Sequence, residues 1–205
     1  MSATQIKVGI LGLQGNFLEH MNALSKFNVD SIKVIRKEDL RLIDALIIPG
    51  GESTTISTIA LSMDLMDSIK ALISSKKPVW GTCAGLIMLS EFIDCNSKIK
   101  TFGGLSVIVQ RNYFGSQLNS AIRTVNIHDK DLGKDQIKAI FIRAPVIKSI
   151  LNSPLTSIKI LGTLESGEIV AVRQGNILAT CFHPELSDDD TVFHEYFFKM
   201  IKESK

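Results

Sequence analysis

One cysteine of the chain lies in a setting that favours nucleophilic chemistry. Cys83 is the third residue of Gly-Thr-Cys-Ala-Gly at positions 81–85, between the apolar run Pro-Val-Trp at 78–80 and the apolar stretch at 86–89. A strand, a sharp turn with a nucleophile between two glycines, and a helix together form a nucleophile elbow, which here carries a thiol in place of a hydroxyl. Such an elbow is expected to expose the sulfur at a helix N-terminus, where the helix dipole favours the thiolate.

A base and a carboxylate suited to this thiol occur near the end of the chain. His183 and Glu185 flank Pro184 directly after an apolar run, so the sequence predicts them just beyond the end of a strand. The proline turns the backbone, which lets the carboxylate reach the imidazole, fix its tautomer and stabilise its protonated form. A lone histidine is more often a surface loop residue, but the elbow favours a catalytic interpretation. The sequence therefore predicts a triad of Cys83, His183 and Glu185.

Acyl transfer at a cysteine also requires hydrogen-bond donors for an oxyanion. The backbone N–H of Ala84, the residue after the nucleophile, is one predicted donor. Gly51 is the other, since adjacent glycines in Pro-Gly-Gly-Glu-Ser at 49–53 allow a close backbone approach to a ligand. The same segment is also typical of a turn that caps the following helix at Ser53 or Thr54. The two interpretations are compatible.

The composition limits the class of protein. A length of 205 residues with 45% hydrophobic residues suits one domain over 1–205, and a net charge of +2 with scattered charges indicates neither a nucleic-acid nor a membrane surface. The first residues lack the features of a signal peptide. The three cysteines form no Cys-x-x-Cys pair, which argues against a disulfide framework and a zinc site and favours the cytoplasm. Cys95 and Cys181 are predicted to be structural.

Neither glycine-rich segment is a convincing nucleotide site. The glycines at 9, 12 and 15 make a poor dinucleotide fingerprint, and the segment at 49–53 lacks the Gly-Lys-Ser/Thr ending of a phosphate-binding loop. The sequence therefore predicts no cofactor and no metal.

The order of elements indicates an α/β fold with a mostly parallel central sheet and helices on both faces. Predicted strands lie at 6–11, 32–35, 45–48, 79–80, 105–109, 122–127, 137–142, 158–164, 169–172 and 177–181, and predicted helices at 16–27, 53–74 (one or two), after 83, and at 191–202. Asn16 is a plausible cap for the first helix. The turn residues at 165–168 and 174–176 predict added antiparallel hairpins late in the chain.

Six motifs in this order carry a resemblance to a known family. They are Leu-Gly-Leu-Gln-Gly at 11–15, Pro-Gly-Gly-Glu-Ser-Thr-Thr at 49–55, Gly-Thr-Cys-Ala-Gly at 81–85, Arg-Asn-Tyr-Phe-Gly-Ser-Gln at 111–117, Phe-Ile-Arg-Ala-Pro at 141–145 and Phe-His-Pro-Glu-Leu at 182–186. The chain resembles class I, triad-type glutamine amidotransferases, and within them the glutaminase subunits of pyridoxal 5′-phosphate synthases. The likeness spans essentially the whole chain.

The resemblance implies both a fold and a reaction. The fold is the single-domain, flavodoxin-like, three-layer fold of that class. The reaction is hydrolysis of L-glutamine to glutamate and ammonia, with the ammonia channelled to a (β/α)8-barrel synthase in a hetero-oligomer, a large ring assembly. The family's glutamine contacts correspond to Gly51, Glu52 and Ser53, to Arg111, and to Ile142 and Arg143. Two guanidinium groups beyond strand ends suit the α-carboxylate of glutamine, although an arbitrary arginine is more often a surface or structural residue.

Two other functions remain open at this stage. One is a thiol hydrolase or peptidase on the same fold, acting on peptides or esters without a synthase. The other is a non-catalytic flavodoxin-like binding module whose cysteine is structural or redox-sensing. The complete set of Cys83, His183 and Glu185 argues against the second.

Overall fold

A computed structural model describes residues 6–27, 29–94, 97–114, 120–152, 157–187 and 191–204. The strands in this part of the chain are β1 Lys7–Leu11, β2 Asp30–Val34, β3 Ala45–Ile48, β4 Val79–Thr82, β5 Ser90–Ile93, β6 Leu105–Gln110, β7 Ser120–Ile127, β8 Gln136–Ile142, β9 Val146–Ile150, β10 Ile158–Leu164, β11 Ile169–Gln174 and β12 Ile177–Thr180. The α-helices are α1 Phe17–Ser25, α2 Ser53–Ser62, α3 Met66–Ser74, α4 Ala84–Leu89 and α5 Val192–Glu203. No α-helix in the described ranges has the length and apolar content to cross a membrane.

The first half of the sheet consists of five parallel strands, three of which (β3, β4 and β12) precede predicted site residues. Their order across the sheet is β2-β1-β3-β4-β12. From β1 the chain adds β2 on one side and then crosses back to add β3 on the other side. The order in which strands are added therefore reverses between β1 and β3. In open parallel sheets, ligands bind outside the carboxyl ends of the strands at such a switch point. The loops after β1, β3, β4 and β12 therefore meet at one edge.

The second half of the sheet is antiparallel except for the parallel pair β5–β6. Beyond β12 the order continues β11-β10-β7-β8, and β5, β6 and β9 form a branch that joins the sheet through β9 and β11. The predicted hairpins at 165–168 and 174–176 are confirmed, because they join β10 to β11 and β11 to β12. The antiparallel part is larger than expected from sequence, and β5 and β9 were not predicted.

Helices cover both faces of the parallel strands, as neighbouring residues of β4 demonstrate. Trp80 is fully buried, and its ring centroid lies 5.8 Å from that of His20 in α1 and 5.5 Å from that of Phe197 in α5. Gly81 faces the opposite side, since side chains alternate along a strand. A Cβ at Gly81 would lie 2.6 Å from the carbonyl carbon of Gly85 in α4. The predicted three-layer α/β fold is confirmed, and the treatment of residues 1–205 as one domain stays a prediction.

Candidate active site

Cys83 lies in a strained turn between β4 and α4. Its φ of 48° and ψ of −103° are unfavourable for a residue with a Cβ, and strain of this kind concentrates at functional sites. The turn depends on glycine at position 85, because a Cβ there would lie 1.9 Å from the carbonyl oxygen of Ile48. The thiol of Cys83 is 3.9 Å from the carbonyl oxygen of Ile142. The expectation of an exposed sulfur is wrong, because Cys83 is only 6% exposed.

His183 and Glu185 form a buried pair directly after β12. The backbone N–H of His183 donates to the carbonyl oxygen of Ile140, which fixes the loop against β8. The Nδ1 atom of His183 lies 2.8 Å from Oε1 of Glu185. A Cβ at Gly50 would lie 2.4 Å from Cε1 of His183 and 3.3 Å from Cβ of Cys83. The imidazole and the thiol-bearing side chain therefore pack against the same face of one glycine.

The pKa values of this pair are strongly shifted. Burial by itself lowers the pKa of His183, but hydrogen bonds with Cys83 and Glu185 outweigh it and raise this pKa to about 10. Burial likewise raises the pKa of Glu185, but the nearby His20 and the hydrogen bond from His183 lower it to about 2. Glu185 is thus ionised at neutral pH, and its charge favours the protonated imidazole. With Nδ1 held by the carboxylate, Nε2 is the nitrogen left for the thiol.

Two further polar residues, Asn16 and His20, contact Glu185, and sequence reasoning did not assign them to the site. Asn16 stands at the start of α1, but its side chain does not cap the helix; its Nδ2 donates to Oε1 of Glu185 over 3.2 Å. His20 Nε2 lies 3.4 Å from Oε2 of Glu185 and 3.1 Å from Oγ1 of Thr82. Only the spacing of 16 and 20, which share a helix face, could have indicated that both point at one partner.

A cavity of about 270 Å³ opens between the loops after β1, β3, β4 and β12 and the ends of β6 and β8. Its lining includes every predicted site residue except Glu185, which lies behind the imidazole; they are Gly51, Glu52, Ser53, Cys83, Ala84, Arg111, Ile142, Arg143 and His183. Gln14, Asn16, Ile87 and Asn112 complete the lining. Asn112 and Arg143 share positive φ values with Cys83, 51° and 46° respectively. A larger surface groove near Arg123 and Gln136 contains none of these residues.

Glu52 has a structural role that the sequence analysis did not predict. Its carboxylate accepts hydrogen bonds from the backbone N–H groups of Thr54 and Thr55, so Glu52, and not Ser53 or Thr54, caps α2. Burial by itself raises the pKa of Glu52, but these hydrogen bonds outweigh it, so the net shift is downward. Oε1 also lies 3.1 Å from Nη2 of Arg111. The guanidinium of Arg111 is thus already paired, whereas Arg143 has no ion-pair partner among the described residues.

The peptide between Gly50 and Gly51 has a defined orientation. The carbonyl oxygen of Gly50 accepts from the backbone N–H of Asn16 over 2.9 Å. In a planar trans peptide the N–H of Gly51 then points away from Asn16. The side chain of Gln14 holds the next peptide, since its Oε1 accepts from the N–H of Glu52 over 2.6 Å. The loop after β1 thereby fixes the loop after β3.

Of the two remaining cysteines, the structure describes only Cys181. Cys181 is fully buried next to β12, and burial raises its pKa well above the usual value, so it is held as an unreactive thiol. Cys95 lies outside the described residues, as do 115–117 of the motif at 111–117.

The pH dependence of stability should report the buried carboxylate. Because the pKa of Glu185 falls from 4.5 to about 2 on folding, its contribution is complete above pH 4.5 and is lost as the pH falls through 2. We expect the unfolding free energy of the wild type to drop by roughly 3 kcal/mol more than that of Glu185→Gln between pH 5 and 2. Urea unfolding across this range measures the difference. The exposed Glu165→Gln is the control, and parallel curves for Glu185→Gln and the wild type would contradict the shifted pKa.

The fold and the elbow define the chain as a glutamine amidotransferase in class. A solved structure described as a glutamine amidotransferase is 36% identical to this chain and covers 95% of it, with 98% of that chain aligned and a TM-score of 0.84. A protein from Thermoplasma acidophilum described as part of a putative GMP synthase shares the fold at 16% identity, with 98% of this chain and 96% of that one aligned and a TM-score of 0.70.

The chain belongs to the SNO glutamine amidotransferase family, whose model matches residues 10–203. It is similar to the pyridoxal 5′-phosphate synthase subunit PdxT of Tropheryma whipplei strain TW08/27, at 46% identity over 94% of this chain and 97% of the relative. The subunit PdxT of Dehalococcoides mccartyi strain BAV1 is 42% identical over 98% of this chain and its own full length.

Proposed function

We propose that this chain is the glutaminase subunit of a pyridoxal 5′-phosphate synthase. It hydrolyses L-glutamine to L-glutamate and ammonia through a thioester on Cys83 and passes the ammonia to a (β/α)8-barrel synthase subunit. One observation carries the proposal: Cys83, His183 and the predicted glutamine contacts line one cavity, with Glu185 hydrogen-bonded behind the imidazole. The near-full-length similarity to PdxT subunits supports the choice of acceptor pathway. We also propose that the protein acts in the cytoplasm and that it forms a large ring-shaped hetero-oligomer with the synthase.

In the first half of the reaction, glutamine is deamidated. At neutral pH Nε2 of His183 holds a proton that it shares with the sulfur of Cys83, because the pKa of His183 is raised to about 10. The proton stays on the imidazole as the sulfur attacks the side-chain amide carbon, and the amide oxygen becomes an oxyanion. Backbone N–H groups of Gly51 and Ala84 receive that oxyanion. His183 then delivers its proton to the departing nitrogen, which leaves as ammonia, and the carbonyl re-forms as a thioester. Glu185 keeps the imidazole oriented and stabilises its charge.

The second half regenerates the enzyme. A water molecule replaces ammonia beside His183, which removes one proton as the water oxygen attacks the thioester carbon. The same two N–H groups receive the second oxyanion. When the carbon–sulfur bond breaks, the proton on His183 is again shared with the sulfur and glutamate leaves. One glutamine and one water thus give one glutamate and one ammonia.

The proposed glutamine contacts are of two kinds: polar groups that lack a partner among the described residues, and an ion pair whose charges glutamine can share. Ser53 is 2% exposed, and its Oγ has no hydrogen-bond partner among the described residues, although it borders the cavity. A buried hydroxyl of this kind is suited to a polar ligand. The guanidinium of Arg143 fits the α-carboxylate, and the Glu52–Arg111 pair offers one charge to each end of the amino-acid head group.

We assign to the loop after β1 the coupling between docking of the synthase and glutaminase activity. Gln14 holds the N–H of Glu52, so displacement of this loop on docking would move the Gly51 region that receives the oxyanion. Ammonia released without a synthase would be lost to water. We therefore expect weak turnover by the isolated chain and faster turnover in the complex.

The decisive experiment combines this chain with a barrel-type synthase, glutamine, a pentose phosphate and a triose phosphate. We expect co-purification of the two chains, glutamine-dependent formation of pyridoxal phosphate followed by absorbance, and faster glutamate release in the complex. Ammonium salt in place of glutamine is the control, because the synthase should accept it without this chain. An unchanged glutaminase rate would reject coupling, and pyridoxal phosphate formation that never depends on glutamine would reject the acceptor.

The same assay separates the alternatives. A thiol peptidase would cleave peptide or ester substrates and ignore the synthase, and a binding module would release no ammonia. Neither explains why both arginines and the buried Ser53 hydroxyl line the cavity with Cys83.

A further inference from the structure

A fully buried histidine lies behind the predicted triad, on the helix side of the sheet. His20 in α1 is 0% exposed, and it does not line the cavity. Its Nε2 atom faces Oε2 of Glu185 at 3.4 Å and Oγ1 of Thr82 at 3.1 Å. Among the described residues, Oε2 has no hydrogen-bond partner and His20 only approaches it, whereas Oε1 receives both His183 and Asn16. His20 therefore faces the one oxygen of Glu185 that the rest of the site leaves unsupported.

The surroundings fix the charge and tautomer of His20. Complete burial lowers its pKa, and the partly opposing effect of the Glu185 charge does not reverse this, so the ring is neutral at neutral pH. A lone pair on Nε2 would face a carboxylate, and a proton on Nδ1 would have no acceptor among the described residues. The Nε2–H tautomer avoids both problems. His20 thus donates its N–H to Thr82, and the same ring edge lies 3.4 Å from Oε2 of Glu185.

Thr82 connects this histidine to the opposite side of the site. Its Oγ1 accepts a hydrogen bond from the backbone N–H of Gly50 over 3.0 Å. Gly50 also packs against His183, and its carbonyl sets the direction of the Gly51 peptide. Glu185 and the glycine segment come from different strand ends. His20 and Thr82 are buried side chains that bridge them.

We infer that His20 is a positioning residue, which holds the carboxylate of Glu185 and, through Thr82, the Gly50–Gly51 peptide in register with each other. The inference rests on the proposed function. Its chemical content is a single N–H that is donated to Thr82 and lies beside Oε2 of Glu185. A side chain of equal size without that N–H would release the Thr82 hydroxyl and remove a positive partial charge facing Oε2, so the carboxylate could rotate away from His183. The misalignment would slow the chemical step and leave glutamine binding, which does not involve His20, unchanged.

The chain provides a matched comparison for this residue. His194 in α5 is also buried, at 2% exposure, and its ring centroid is 6.2 Å from that of His20. Neither of its ring nitrogens has a hydrogen-bond partner among the described residues, and burial lowers its pKa to about 3. His194 thus packs as an uncharged ring against Trp80 and Phe27. Replacing it tests the loss of a buried ring without the loss of the donated N–H.

The experiment measures kcat and KM for glutamine in the complex with the synthase, with active sites counted by a glutamine-analogue alkylator. His20→Met removes the donor, and His20→Gln is close to it in size but places an amide N–H near the position of Nε2. We expect kcat to fall about 10- to 100-fold in His20→Met with KM within about threefold, and His20→Gln to recover most of that loss. His194→Met should keep kcat within about threefold of wild type.

The outcomes separate this inference from the proposed function. If the wild-type complex releases no glutamate from glutamine, the proposed function fails first. If it does, the inference is overturned when His20→Met retains wild-type kcat, or when His20→Gln and His20→Met lose equal activity. Should His20→Met fail to fold, Thr82→Val and Thr82→Ser carry the test: the valine variant, which lacks the bridging hydroxyl, should lose kcat and the serine variant should keep it. Equal activity in those two would contradict the bridge.

Discussion

Replacement of Cys83 by alanine should reduce glutamine-dependent ammonia release by at least about 10⁴-fold, to a level set by binding and oxyanion stabilisation alone. The loss is this large because no thioester can form without the sulfur, and water would then have to attack an unactivated amide. Thermal unfolding should change little, because alanine removes one atom from a side chain already bordering a cavity. The measurement is glutamate formation in the complex with the synthase.

Cys181→Ala is the control for this result. Cys181 is a second buried thiol close to the site, and burial keeps its pKa high and its thiol protonated. Its replacement should leave the rate within about threefold of wild type, with a modest loss of stability from the cavity it leaves. Comparable losses in both variants would mean that the effect comes from packing. Substantial activity in Cys83→Ala would refute the nucleophile.

Gly50→Ala should cause the second largest loss, about 10²-fold or more in kcat. The backbone at Gly50 has a φ outside the left-handed region, so alanine adds no conformational strain there. The added methyl group would instead lie 2.4 Å from Cε1 of His183, which must move away from Cys83. The measurement is kcat together with the rate at which a glutamine analogue alkylates Cys83.

Gly12→Ala provides the comparison for that variant. Gly12 follows the neighbouring strand β1, and a Cβ there would meet the side chain of Lys33 at 2.4 Å. Because Lys33 is exposed and flexible, it can move aside, and activity should stay within about threefold of wild type. A fully active Gly50→Ala would show that the contact with His183 is dispensable.

The parallel half of the fold was predictable because each strand is a short apolar run followed by turn residues. Strand β5 was not predicted, since it continues an apolar stretch directly from α4 without a glycine or proline between them. The helix ends where Ser90 adopts an extended conformation and its hydroxyl donates to the carbonyl oxygen of Ile87. Such a local side-chain bond leaves no clear pattern in the sequence. The same holds for β9, which pairs with strands distant in the chain.

The candidate site was predictable to the extent that its chemistry depends on backbone shape. A Cβ at position 50, 51, 81 or 85 would collide with its surroundings, so the backbone shape of the site requires glycine at these positions. Glycines of this kind can be recognised directly in the sequence. Asn16 and His20 were not identified, because their importance depends on α1 packing beside the loop after β12. Their contact partner, Glu185, lies far away along the chain. Sequence reasoning treated Asn16 as a helix cap, a role that its local position alone suggested.

Labelling the nucleophile with a reactive glutamine analogue is the most direct check that the sulfur at 83 attacks glutamine bound in the cavity. Complex treated with a reactive glutamine analogue should yield one modified peptide, containing Cys83, by mass spectrometry, and excess glutamine should protect it. Modification of Cys181 instead, or labelling at 83 that glutamine leaves undiminished, would contradict the account.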